Sequence, residues 1–393
     1  MRSDHQDRTG PSANRAKTSA RVRAAVGVLV VLAGLTTPTT SALAQTPMIE
    51  FIQPSAGFTF VSIRDIADDG TVVALSYSGS GPGTSPVLRY SPGGNRVLYP
   101  SGTDARISGN AQVIGIKTLG GPNGPIATLH YTNGSQRVLP GVVYQGQLRT
   151  GGVSHLNIDG TVAMLGVGTG VSNESAYRWT LDGNTTSLPP IPGGSTWNRA
   201  YGMSSDGSIV VGEQAPNSSV PAVPMSWTGG GSTLDTVLDP NGQAIFNGRL
   251  TAISGDGTKK YGVYNSGQFA SPAIMITNGV TTPLELGDLA GFTELFPSGA
   301  SYDGSVLVGS LGAQGSWVWT ESTGAMRAAD FFAYHGVDVN LESFFTGLVV
   351  SGDGLHFAGR SGPTGGALVT IPMPGTLVSL ILGGTLATTR RRR

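Results

Sequence analysis

The sequence predicts an all-β protein built from repeated four-stranded sheets, on three observations. First, the composition suits strands and turns: 60 of 393 residues are Gly, 24 are Pro and only 12% are charged. Second, one turn signal recurs along the chain. Asp69-Gly70, Asp159-Gly160, Asp206-Gly207, Asp256-Gly257, Asp303-Gly304 and Asp353-Gly354 share it, and Ser108-Gly109-Asn110-Ala111 is a degenerate copy. Counted at positions 70, 110, 160, 207, 257, 304 and 354, the gaps are 40, 50, 47, 50, 47 and 50 residues. Third, an apolar strand with an aromatic residue near its end often follows each turn, as in Ala176-Tyr177-Arg178-Trp179 and Trp317-Val318-Trp319.

Each repeat reads as the same unit. A short strand leads into Asp-Gly, which favours a type I′ turn with both central residues at positive φ. A second apolar strand follows, then the aromatic strand, then a short polar turn and a weaker fourth strand such as Thr281–Leu286. Seven four-stranded units with a period in the forties predict a seven-bladed β-propeller. The aromatic residues then serve to pack blade on blade. The last repeat ends at Ile371 with only three strands, and Pro47–Gln53 reads as the missing fourth. The N-terminal strand is therefore expected to close the ring, which removes exposed sheet edges. Residues 45–371 form this domain.

The repeats resemble the HAF extracellular repeat family, with its DG-x-[IV]-V-x-G core followed by A-x-x-W; repeats three, four and six carry the best copies. Residues 325–359 also resemble that family's closing element, a short helix, a Gly-Val-Asp step and a last Asp-Gly hairpin. The resemblance implies a cell-surface setting without assigning an activity.

The two ends read as processing signals. Residues 1–44 hold a basic stretch (Arg15, Lys17, Arg21, Arg23), the apolar run Ala24–Leu35 and a small-x-small site at Ala42 and Ala44. This is the pattern of a signal peptide, with a helical apolar core, removed after Ala44 by signal peptidase. The basic stretch is longer than usual for such a segment. At the other end, residues 372–393 hold Pro372-Met373-Pro374, an apolar segment from Gly375 to Ala387 and the cluster Arg390, Arg391, Arg392 and Arg393. As a helix that segment spans only ~20 Å, short for a stable bilayer span, with the arginines held on the cytoplasmic side. This three-part order resembles the PEP-CTERM sorting tag, although Met373 stands where that family usually has Glu. The resemblance implies a transient membrane contact through the C-terminal helix, then processing near the Pro-x-Pro motif by an exosortase, a membrane protease.

Between the two processing points and the arginine cluster the chain has 14 Lys and Arg against 22 Asp and Glu, a net charge of −8. That argues against a nucleic-acid partner, which selects a basic face. With no Cys there is no thiol catalysis and no disulfide. His130, His155, His335 and His356 are scattered without metal-ligand spacing, so no metal and no cofactor is expected. The Asp-Gly carboxylates read as turn residues, since a calcium loop needs several oxygens within about a dozen residues. No Walker, GxSxG or dinucleotide motif appears, and no catalytic residue is assigned. Phe331, Phe332, Tyr334, His335, Phe344 and Phe345 gather around the expected helix. They read as packing over one end of the propeller, with a ligand-binding aromatic surface as the rival. Residues 213–224 form the longest polar excursion between strands, a candidate binding loop.

The function these observations support is an exported propeller of the cell envelope or extracellular matrix, with a binding or structural role toward a surface polysaccharide or protein. The alternative is a secreted propeller enzyme, a lyase or glycoside hydrolase. It requires acidic or basic side chains from different blades to meet at the channel mouth.

Overall fold

In the computed structural model, the described residues run from 47 to 371, apart from 79–84, 122–123, 145, 169–173, 191–196, 215–221, 230, 239–242, 246, 265–272, 291, 293–294, 338–345 and 363. The expected signal helix, the cleavage site at Ala42 and Ala44, and the whole sorting tag from Pro372 to Arg393 lie outside them. So do Phe344, Phe345 and most of the polar excursion after Gln214. Among the described residues no helix is long and apolar enough to cross a membrane.

The seven blades are present, each a four-stranded antiparallel sheet. Their innermost strands are Phe60–Ile66, Asp104–Ile107, Gly152–Leu156, Asn198–Met203, Gly248–Ile253, Phe296–Ala300 and Thr346–Val350, for blades 1 to 7 in order. The last blade is completed by Met48–Ile52, which pairs with Gly365–Thr370 in the register Met48↔Thr370 to Ile52↔Gly366. The expected closure by the N-terminal strand is therefore what the fold uses. Two short ribbons, Val142–Tyr144 with Gln147–Arg149 and Val237–Leu238 with Ala244–Ile245, decorate it.

The core is divided as the repeat dictates. Buried side chains fall into seven clusters, one at each blade-to-blade contact. Successive residues of a second strand point to opposite faces, so each strand feeds both neighbours. Val72 and Ala74 pack toward blade 7, whereas Val73 and Leu75 pack toward blade 2. The repeat aromatics are inter-blade packing, with Trp179 and Trp227 almost fully buried. The helix Ala328–Tyr334 buries Phe331 and Phe332 against Phe357 of blade 7, with ring centroids 5.7 and 5.3 Å apart. The packing reading holds for these two rings, while Tyr334 remains exposed.

The Asp-Gly turns are not type I′. Only the glycine has positive φ, from 65° at Gly304 to 77° at Gly70; the aspartates do not. The loop is a type I turn followed by a left-handed glycine, the other common hairpin solution. Side chains select it. The Asp206 carboxylate accepts from the Ser208 N–H at 2.9 Å, and Ser204 Oγ donates to that carboxylate at 2.7 Å while accepting the Ile209 N–H at 2.9 Å. The same bonds recur around Ser254, Ser301 and Ser351. They hold Asp206 and Asp256 below the usual carboxylate range, chiefly through the Ser204 and Ser254 hydroxyls. In the degenerate copy Ala111 occupies the glycine position at φ 59°.

Gly207 shows what the turn requires. A Cβ there would lie 2.8 Å from Val162 Cβ of the neighbouring blade, at φ 72°. Gly207→Ala is expected to lose about 2–4 kcal/mol, combining left-handed strain with overpacking, which thermal or urea unfolding will read.

Candidate functional site: a blind central channel

The inner strands leave a channel along the propeller axis, a cavity of about 230 Å³. Its layers follow the repeat. The residue just before each Asp or Asn of the turn is Asp68, Gly109, Ile158, Ser205, Gly255, Tyr302 or Gly352. The backbone links these turns blade to blade. Asp68 N–H donates to Gly109 O, Asn110 to Ile158 O, Ile158 to Ser205 O, Ser205 to Gly255 O, Asp256 to Tyr302 O, and Tyr302 to Gly352 O, over 2.6–3.2 Å. The circle is completed by a side chain: Gly352 N–H donates to Asp68 Oδ1 at 2.9 Å.

Tyr302 fills the middle of this ring. Its hydroxyl donates to Asp68 Oδ2 at 2.9 Å. A Cβ on Gly109, Gly255 or Gly352 would come within 2.2 Å of its ring or hydroxyl, so these three glycines make the space it occupies. Burial, and then the Asp68 charge, push the Tyr302 phenol far up, so it is a neutral donor. The channel is thus closed at the turn end.

Above the ring lies an apolar collar including Ile66, Ile107, Leu156, Met203 and Ile253. The next layer is asymmetric. Blades 1, 2 and 3 contribute Asp65, Arg106 and His155, whereas the other four contribute Gly202, Ala252, Gly299 and Val349. A β-bulge recurs on six of the seven inner strands just before this layer. Such bulges re-aim side chains. In blades 1 and 4 they bring Arg64 and Tyr201 to the channel wall.

Arg106 connects three blades. It donates to Ser154 O of blade 3 at 2.6 Å and to Arg64 O of blade 1 at 3.4 Å, and it pairs with Asp104 at 2.9 Å. Arg64 approaches the same carboxylate at 3.7 Å. The Arg64 and Arg106 side chains keep 31% and 22% exposure, enough for a channel ligand to reach them. Asp65 accepts the Ile66 and Ile107 N–H groups. Burial pushes its carboxyl up to about 6, against the pull of Arg106. His155 bonds the Tyr201 backbone; burial, reinforced by Arg106, lowers its imidazole to about 3. Tyr201 donates to Glu213 Oε1 at 2.6 Å, and burial with that carboxylate pushes its phenol up to about 12. At neutral pH the wall therefore presents arginine donors, a neutral imidazole and a carboxylate that protonates under mild acid.

The two shifted groups oppose each other in stability. His155 is held neutral in the fold, so it costs stability as pH falls from about 6.5 toward 3. Asp65 takes up its proton more readily folded than unfolded, so its contribution is fullest below about 4 and is lost as pH rises through 6. His155→Gln is expected to remove the first effect alone. The variant's melting temperature, relative to the parent, should rise progressively from pH 6.5 to pH 4.

The turn residues singled out from sequence, from Asp69-Gly70 to Asp353-Gly354, sit in the hairpins around the closed end and are structural. Of the scattered histidines only His155 reaches the channel; His130 packs edge-on against Tyr99, and His335 packs on Phe331. Among the described residues no three His, Asp or Glu side chains converge as metal ligands do. The channel residues escaped sequence reading because each comes from a different blade. One signal was present: the position before the Asp holds Tyr in one copy and Gly in three others.

No model of a protein family matches the sequence, and no curated protein matches it. Solved structures do. An oligogalacturonate lyase from Vibrio parahaemolyticus is 11% identical with a TM-score of 0.52, covering 84% of this chain and 98% of that one. The β-propeller domain of the Trilobed protease from Pyrococcus furiosus, described as having an open velcro topology, is 8% identical with a TM-score of 0.51 over 80% and 95%. TolB from Acinetobacter baumannii is 12% identical at a TM-score of 0.42, and the match spans 64% of its length. The likeness is one of fold. Unlike the open ring described for the protease domain, this one is closed by its N-terminal strand.

Proposed function

We propose that this protein is exported to the cell envelope or extracellular matrix, processed at both ends, and acts there as a binding propeller. Its ligand, a surface polysaccharide, enters the central channel from the end opposite Tyr302. The observation that carries the reading is the polar arc Asp65–Arg106–His155, set against small residues in a blind channel. Such a channel admits a chain end and excludes a folded protein. Export rests on residues 1–44, and tail removal by an exosortase-type protease rests on Pro372–Pro374 and Arg390–Arg393. Met48 and Thr370 are paired, so both processing points lie a few residues from one edge of blade 7.

The intact mass of the protein from its native host tests the processing: a start at Gln45 and an end near Pro374 is expected, and a retained arginine tail would overturn it. Binding is tested by titrating acidic and neutral polysaccharides. Saturable binding of an acidic polymer, weakened at least tenfold in Arg64→Gln, supports the channel reading, and no binding of any polymer removes it.

The same wall favours a second reading, a lyase or glycoside hydrolase. Asp65, His155 and Tyr201 supply proton-transfer groups beside arginines suited to a carboxylate. New reducing or unsaturated ends on incubation with acidic polysaccharide would select it.

A further inference from the structure

A second cavity, of about 220 Å³, opens between blades 3 and 4 and shares Arg106, His155 and Tyr201 with the channel. Its remaining wall is small or apolar and includes Leu165, Gly166 and Ala176. It is far larger than the ~30 Å³ of one water and smaller than the ~300 Å³ at which drug-sized sites begin. Three polar features face it. Arg106 arrives from blade 2 and Arg199 from blade 4. Arg199 lies 3.9 Å from Glu213, a loose pairing, and its guanidinium stacks on Trp197 at 4.9 Å. The third is His155, whose Nδ1 is buried without a hydrogen-bond partner.

That orphan nitrogen is informative. His155 already bonds the Tyr201 backbone, an interaction that favours its protonated form and so uses a ring N–H as donor. In a neutral imidazole the other nitrogen is then an acceptor. A buried acceptor left unmade costs about 1–3 kcal/mol, so the cavity is shaped for an occupant that brings a donor. The two guanidiniums call for an anion, and a planar carboxylate fits their fork.

We infer that the cavity between blades 3 and 4 is a subsite for one hydroxylated sugar acid, its carboxylate on Arg106 and Arg199 and one of its hydroxyls donating to His155 Nδ1. The inference rests on the channel-binding reading and names its ligand class: an acidic polysaccharide whose terminal uronate turns out of the channel into this cavity. The apolar wall takes the sugar ring face.

Calorimetric titration of the full chain with glucuronate tests it. Glucose, which has hydroxyls without the carboxylate, and acetate, which has the reverse, serve as controls. Glucuronate is expected to bind at least tenfold more tightly than either. Ala176→Val, which fills the cavity without touching a charge, should abolish that preference. As a measurement on the parent, the ring-nitrogen NMR signals of His155 should move at Nδ1 and stay at the other nitrogen when glucuronate is added. Equal binding of acetate and glucuronate would mean an adventitious anion only. If an acidic polymer binds parent and Ala176→Val alike while glucuronate binds neither, the channel reading survives and the subsite falls. If neither polymer nor glucuronate binds the parent, both fall.

Discussion

Deleting residues 46–53 is expected to unfold the domain or to lower its stability by about 5 kcal/mol or more, a large part of the ~5–15 kcal/mol that domains typically have. The strand Met48–Ile52 completes blade 7. Ile52 is fully buried in the cluster joining blades 7 and 1, and losing such a side chain costs about 2–5 kcal/mol alone. Glu50 ties the strand to blade 1, accepting from Tyr90 Oη at 2.7 Å and from the Gly93 N–H at 3.1 Å. Without the strand, Gly365–Thr370 becomes an open edge next to a broken blade contact. A deletion variant that melts with the parent would show that three strands suffice for the last blade. The single variant Glu50→Gln should cost far less, about 1 kcal/mol, because the hydrogen bonds largely survive.

Tyr302→Ala carries the second large effect. Phe or Trp to Ala in a core costs about 3–5 kcal/mol, and here the loss also leaves Asp68 without one of its donors. The three glycines around the ring offer no side chain to fill the hole. A loss of about 4 kcal/mol is therefore expected in urea unfolding. Tyr302→Phe keeps the ring and removes only the hydroxyl, so about 1–3 kcal/mol should go. The pair separates filling from hydrogen bonding. Equal losses would mean that the Asp68 bond dominates and that the ring adds little. The Ala variant also opens the turn end of the channel, so small polar solutes should then enter from both sides.

The repeat itself was legible because its information is local. Asp-Gly marks the hairpin, alternating apolar residues mark strands buried on both faces, and a spacing of 40 to 50 residues marks the blade. Closure was legible too, since a final unit short by one strand and a spare strand at the start must find each other. The turn type was misread because Asp-Gly fits two hairpin classes. The Ser two residues earlier decides between them, by offering its hydroxyl to the Ile209 N–H in the blade 4 copy and to equivalent groups elsewhere.

The channel belongs to the other category. Asp65, Arg106 and His155 stand 41 and 49 residues apart and share no motif. They become neighbours only because each occupies the same place in a different repeat and the ring turns those places inward. The same holds for Asp68 and Tyr302, joined at 2.9 Å across 234 residues. The sequence by itself determined the unit, the number of units and the strand that locks them, because hairpin and strand formation depend on near neighbours. Which side chains meet on the axis, how far burial shifts their protons and which end of the channel is shut depended on closing the ring, since those interactions exist only between blades.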